Sequence, residues 1–153
     1  MSLPASLRPD CARCAALCCV APAFDAGQGF GYDKPAREPC RNLMADNRCA
    51  IHPALVAQGF GGCASFDCFG AGQRATALFA GTDWRHSPDR APDLFEAYAR
   101  LRALHELQAM TTLALPRARD ESAGSLRQLL ARLAGLCETN EAIDAVALRR
   151  ATL

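Results

Sequence analysis

The stretch CARCAALCCVAP places Cys11, Cys14, Cys18 and Cys19 within nine residues. Four more thiols follow at Cys40, Cys49, Cys63 and Cys68, and Cys137 stands apart. Thiols at this density pair as disulfides, hold a metal, or carry redox chemistry. Met1 to Asp10 reads MSLPASLRPD, without the apolar core a signal peptide needs. That predicts a cytoplasmic protein, in which thiols stay reduced. Nine is also an odd number, which suits a fully paired framework poorly. Disulfides are the minor reading.

Spacing favours metal. Cys11 and Cys14 form a Cys-x2-Cys pair, whose tight turn brings both sulfurs to one side of an ion. Cys63 and Cys68 form a second close pair at x4. Between Cys40 and Cys49 lie Asn42 and Asp46-Asn47, residues suited to a turn that would bring the two thiols together. Adjacent Cys18 and Cys19 fit one ion less easily, because neighbouring side chains point in different directions. They are expected to serve two centres, or one ligates while the other packs.

Other chemistry is weaker. His52 follows Cys49 as Cys-Ala-Ile-His and is an additional ligand candidate, though a surface or outer-shell role is the better expectation where thiols already suffice. His105-Glu-Leu-Gln-Ala begins like the zinc-protease HExxH but lacks its second histidine. The Gly-rich CFGAGQ has no following Lys-Ser/Thr, so it reads as a turn and not a phosphate loop. No Ser-His-Asp or paired-carboxylate arrangement stands out, and no catalytic residue is assigned. Asp67 is expected to accept backbone hydrogen bonds. Cys137, beside Leu133 and Leu136 on a helix stripe, reads as packing, since a free thiol behaves as a small hydrophobe.

The elements that position these thiols divide near residue 80. At 153 residues the chain is one domain, or a compact module with a helical extension. Half of it is hydrophobic, yet the first half is rich in Gly, Pro and Cys and needs stability from elsewhere. Residues 10–80 read as an irregular, metal-stabilised cysteine-rich module of short helices and turns. The segments GQGFG (27–31) and AQGFG (57–61) look alike, too briefly to make a repeat. A polar connector follows at 81–93.

Residues 92–151 then read as two or three amphipathic helices, making the chain mainly α. Asp93 would cap a helix carrying Leu94, Ala97, Tyr98, Leu101, Leu104 and Leu107 on one stripe, stopped by Pro116. A second would start near Ser122 or Ser125 with Leu126, Leu129, Leu130, Leu133 and Leu136. Thr139 would cap a short last one with Ile143, Val146 and Ala147. Such helices pack on the cysteine-rich half or form an interface with a protein partner or a second copy. Net charge is +1, Lys34 is the only lysine, and the arginines do not cluster, so neither nucleic acid nor membrane is an expected partner. No segment reaches the roughly 18 apolar residues of a membrane span.

The runs CARCAALCCVAPAF, DKPAREPCRNLMADNRCAIHPAL and GFGGCASFDCFGAGQ together resemble the CxxCxxCC (YkgJ-like) family of zinc- or iron-chelating domains. The resemblance is nearest to the cysteine-rich amino-terminal module of some bacterial pentapeptide-repeat proteins and covers roughly residues 10–74. The opening motif here is one residue longer, Cys-x2-Cys-x3-Cys-Cys, and helices stand where the repeats would follow. The resemblance implies a bacterial origin, eight ligand candidates (Cys11, Cys14, Cys18, Cys19, Cys40, Cys49, Cys63 and Cys68) and an iron–sulfur or zinc centre. Two tetrathiolate zinc sites would use all eight thiols. The crowded CxxCxxxCC is also like cluster-binding runs, which tips the expectation toward [4Fe–4S], with zinc next and copper(I) third. The expected role is a mainly structural centre in a binding or adaptor module. The alternative is a redox-active or catalytic iron–sulfur protein.

Overall fold

Glycine and proline keep the first half of the chain in turns. The computed structural model describes residues 3–80 and 82–138, and within it the protein is mainly helical. The early elements are short: α1 spans Leu17–Val20 and α2 Gly61–Ser65, with 3₁₀ turns at Cys11–Arg13, Ala26–Gln28 and His52–Ala54. No strand forms among the described residues. Two isolated antiparallel bridges, Phe24 with Lys34 and Leu43 with Cys49, fasten the loops instead. Three longer helices follow: α3 (Ala71–Leu78), α4 (Ala91–Ala114) and α5 (Asp120–Glu138). None of the described helices is long and apolar enough to cross a membrane.

Helix α4 begins earlier than its periodicity predicts. Pro92 sits in its first turn, where a missing N–H costs nothing, and Arg90 occupies the cap position without a side-chain cap. Asp93 lies inside the first turn, where its charge suits the helix dipole. Leu94, Ala97, Tyr98 and Leu101 are buried as their spacing predicts, whereas Leu107 is half exposed. Helix α5 starts at Asp120, ahead of either serine. Its buried face is Ala123, Leu133 and Cys137, while Leu129 and Leu136 face outward. The expected last helix with Thr139, Ile143, Val146 and Ala147 lies outside the described residues.

Two cores hold the described chain. The larger joins Leu17 and Val20 of α1, Ala71 and Ala75 of α3, Phe79, and Leu94, Phe95, Tyr98 and Leu101 of α4. Leu17, Leu94 and Leu101 are essentially fully buried, each contributing about 1.5–3 kcal/mol over the exposed state. The helices therefore pack on the cysteine-rich loops through α1 and α3. The smaller core is aromatic: Phe24 stacks on Phe30 at 4.5 Å and meets Tyr32 and Phe60 edge-on at 5.3 and 6.4 Å. Here the two similar Gly segments meet. An added Cβ at Gly62 would lie 2.6 Å from the Phe30 ring, and one at Gly31 would lie 2.8 Å from the Phe60 ring. Phe60 thus covers a glycine of the first segment, and Phe30 covers the glycine just after the second.

Candidate thiolate metal centre

Helix α1 has a single turn, and its sequence decides where its thiols go. Leu17 and Val20, three apart, share one face and are wholly buried. That leaves Cys18 and Cys19 on the opposite side. Their Sγ atoms come within 3.9 Å, close to the ~3.8 Å edge of a sulfur tetrahedron with ~2.3 Å metal bonds. Adjacent cysteines expected to diverge are brought close because the turn is pinned from its apolar face. Ala16, which enters the turn, is left-handed at φ 59°, a conformation non-glycine residues adopt rarely.

The loop carrying Cys11 and Cys14 is tied to α3 by side chains. Gln73 accepts from the Asp10 N–H at 3.0 Å and donates to the Arg8 carbonyl at 2.7 Å. Thr76 Oγ1 accepts from the Ala15 N–H at 3.0 Å, and the Trp84 indole donates to the Ala15 carbonyl at 2.8 Å. Gly72 of α3 lets Cys14 approach: a Cβ there would fall 2.6 Å from Cys14 Sγ and 4.0 Å from Cys68 Sγ. Cys68 precedes Phe69, another left-handed residue at φ 48°. Asp67 Oδ1 accepts from the Phe69 N–H at 2.6 Å, as expected of that carboxylate. His105 Nδ1 lies 2.7 Å from the Phe69 carbonyl, so the neutral ring donates from Nδ1.

The remaining thiols surround the aromatic core. Cys40 is buried; its N–H donates to the Cys19 carbonyl at 2.9 Å. Its Sγ accepts from the Tyr32 hydroxyl at 3.3 Å and from the Asn42 N–H at 3.4 Å. The Cys40–Cys49 segment turns as its residues predict. Asn47 is left-handed at φ 66°, Asp46 accepts from the Arg48 N–H, and Leu43 bridges to Cys49. Arg85 of the connector holds this turn through Asn47 and the Met44 carbonyl. Lys34 supplies a buried charge nearby. Its Nζ reaches the carbonyls of Pro22, Glu38, Pro35 and Val20 at 2.6, 2.8, 2.9 and 3.3 Å.

Electrostatics report which thiols are neighbours. Burial pushes the Cys14 thiol up to about 11, and Cys18 pushes it further. Cys11 is raised by burial, then by Cys18 and Cys68. Burial also drives Cys63 to about 11, with Cys18, Cys40 and Cys49 adding to it. Cys18 is driven up most, first by its contact with Cys19 and then by burial, although it keeps accessible surface. Cys14 and Cys68 pack against the larger core, with Cys11 and Cys18 bearing on them, and Cys19, Cys40 and Cys63 pack around the aromatic one, with Cys49 bearing on Cys63. The sets meet at Cys18–Cys19.

No disulfide forms among the described residues. Among the described residues no three His, Cys, Asp or Glu side chains already converge as a finished metal-binding group. The two sets are neighbourhoods of thiols rather than closed shells. The donors nonetheless suit a soft or borderline metal, since they are all sulfur and clustered, and the Gly72 cradle admits Cys14 where any side chain would exclude it. His52 is exposed on its 3₁₀ turn, its N–H donating to the Cys49 carbonyl at 3.3 Å. Cys137 is buried on α5, and its carbonyl accepts from Arg74 Nε at 3.1 Å. Sequence reasoning missed Lys34, Tyr32, Gly72, Tyr98 and His105 as residues bearing on the site. Only the lone lysine stood out in composition.

The chain is 41% identical over 102 residues to uncharacterized protein YybG of Bacillus subtilis (strain 168), a match covering 66% of this chain and 37% of that protein. The chain thus matches little more than a third of that relative's length. No family model matches, and no solved structure does.

Proposed function

We propose that the chain is a cysteine-rich metalloprotein module whose eight clustered thiolates bind metal in two adjoining sets, mainly to hold the loops together. The observation that carries this reading is the clustering itself. Residues as distant in sequence as Cys11 and Cys68, or Cys19 and Cys63, lie near one another, and Cys18 and Cys19 touch between them. Bound metal would supply folding free energy to a half that lacks long elements. An iron–sulfur cluster is the favoured occupant, because the crowded thiols of Cys11, Cys14, Cys18 and Cys19 are of the kind several irons share. Eight thiols are enough for two tetrathiolate sites, which favours a second reading, two zinc ions.

Leu107, Met110 and Leu113 of α4 and Leu129 and Leu136 of α5 are exposed apolar residues. They support an adaptor role through a protein partner or a second copy. Among the described residues, the reading of the protein as a redox or catalytic centre has no comparable set of acid, base or substrate-binding groups beside the thiols.

The test is metal and sulfide analysis of protein produced anaerobically with ample iron. A brown preparation with inorganic sulfide supports the cluster. A colourless one with about two zinc ions per chain supports the second reading. A preparation holding neither, with all thiols titratable, defeats both.

A further inference from the structure

The two thiol sets differ in one polar neighbour. In the set around the aromatic core, the Tyr32 hydroxyl donates to Cys40 Sγ at 3.3 Å. Beside the other set stands Tyr98 of α4, only 3% exposed, with its hydroxyl buried and without a hydrogen-bond partner. A buried phenol left unmet is costly, and such a group in a folded protein calls for a reason. A shallow hollow of about 220 Å³ runs past Tyr98 between Pro22, Phe66 and Phe95. The hydroxyl oxygen itself is closed to solvent, so water standing in that hollow does not reach it.

We infer that Tyr98 is a positioning residue of the first thiol set, its hydroxyl donating to a thiolate there once metal is bound. The inference rests on the proposed role of Cys11, Cys14, Cys18 and Cys68 as ligands. Cys14 and Cys68 pack against the same core as Tyr98, and with Cys18 they are the sulfurs that bear on its phenol. A neutral thiol is a weak acceptor, whereas a metal-bound thiolate is a strong one. Metal binding would therefore create the acceptor that the metal-free fold lacks. A phenol is protonated at neutral pH and can therefore donate. Arg102, one turn further along α4, stacks over Phe66 at 5.1 Å and helps close the site. Outer donors of this type orient ligands and set metal affinity.

Tyr98→Phe removes only the hydroxyl and gives opposite signs in the two states. In the metal-free protein the thermal midpoint should hold or rise, because an unmet polar group is gone. In the loaded protein, cobalt(II) affinity of the first set, measured by chelator competition, should fall about tenfold or more. The thiolate-to-cobalt charge-transfer band should also move to lower energy as the sulfur loses its hydrogen bond. Tyr32→Phe should shift the signal of the other set alone. Unchanged affinity and spectrum in Tyr98→Phe would overturn the inference. So would loss of stability or of folding in the metal-free variant, since the hydroxyl would then have a structural partner already. If Cys14→Ser leaves cobalt stoichiometry at the wild-type level, the first set is not a metal centre and the underlying reading falls with the inference.

Discussion

Cys18 and Cys19 are neighbours along the chain with sulfurs 3.9 Å apart, yet they keep different company. Cys18 bears on Cys11 and Cys14 of one set and on Cys63 of the other. Cys19 packs with Cys40 and Cys63 around the aromatic core. Cys18→Ser should therefore lower metal content in both sets, and Cys19→Ser in one. Metal-to-protein ratios on the two purified variants check this. Equal losses would show that the pair is not the junction between sets.

Gly72 predicts a steric effect. Its α-carbon faces Cys14, and a methyl group there would press within 2.6 Å of Cys14 Sγ. The loop carrying the thiol is held against α3, the Asp10 and Ala15 N–H groups donating to Gln73 and Thr76, so Cys14 has little room to retreat. Gly72→Ala should raise intrinsic helix propensity by about 1 kcal/mol, yet lower metal affinity by displacing one ligand. A thermal scan with and without metal separates the two effects. If the variant binds metal as tightly as wild type, Cys14 does not ligate from this position.

His105 makes a pH prediction. Burial lowers its pKa from 6.5, opposed by the bond to the Phe69 carbonyl and aided by nearby Arg74. The unfolded chain therefore takes up a proton near pH 6.5 that the folded chain refuses. The stability associated with neutral His105 is present above that pH and is lost as pH falls through the depressed folded value. Denaturation midpoints measured from pH 7 to pH 5 should decline. His105→Gln should flatten that decline while costing about 1 kcal/mol at pH 7 for the weakened hold on Phe69. A wild-type profile that stays level over this range would contradict the burial of a neutral ring.

What the sequence disclosed, and what it hid, follows from how local each signal is. Periodic leucines disclosed α4 and α5, because helix faces are written at three-and-four spacing. The outward turn of Leu107, Leu129 and Leu136 was hidden, since a stripe does not say where a partner helix ends. Asp46-Asn47 disclosed the turn between Cys40 and Cys49 because turn chemistry is local. The division of thiols into sets was not legible, because it depends on α1 pinning Leu17 and Val20 inward and on Gly72 admitting Cys14. His105 was dismissed for lacking a second histidine. Its actual partner is a backbone carbonyl 36 residues away, which no motif encodes.

Lys34 carries the last prediction. A lysine ammonium has three protons to donate, and here it sits among four backbone carbonyls within 3.3 Å while lying 5.2 Å from the Phe24 ring centroid. Burial lowers its pKa, while the charges of Cys40, Cys19 and Glu38 pull it back up. Lys34 thus gathers the loops at residues 20–22 and 35–38 and places a cation near Cys19 and Cys40. Lys34→Met keeps a long side chain but strands the carbonyls, and should cost about 3 kcal/mol or more. Lys34→Arg should not rescue, because a planar guanidinium fork cannot meet carbonyls spread around a compact ammonium. With thiolates bound to metal, loss of the cation should also weaken the set containing Cys19 and Cys40 more than the set containing Cys14. Chemical denaturation of the metal-free variants reads the first effect, and cobalt titration of the loaded ones reads the second. Lys34→Met with wild-type stability would mean that the carbonyls find other donors. Equal weakening of both sets would mean that Lys34 acts on the loops alone and not on the charge of one centre.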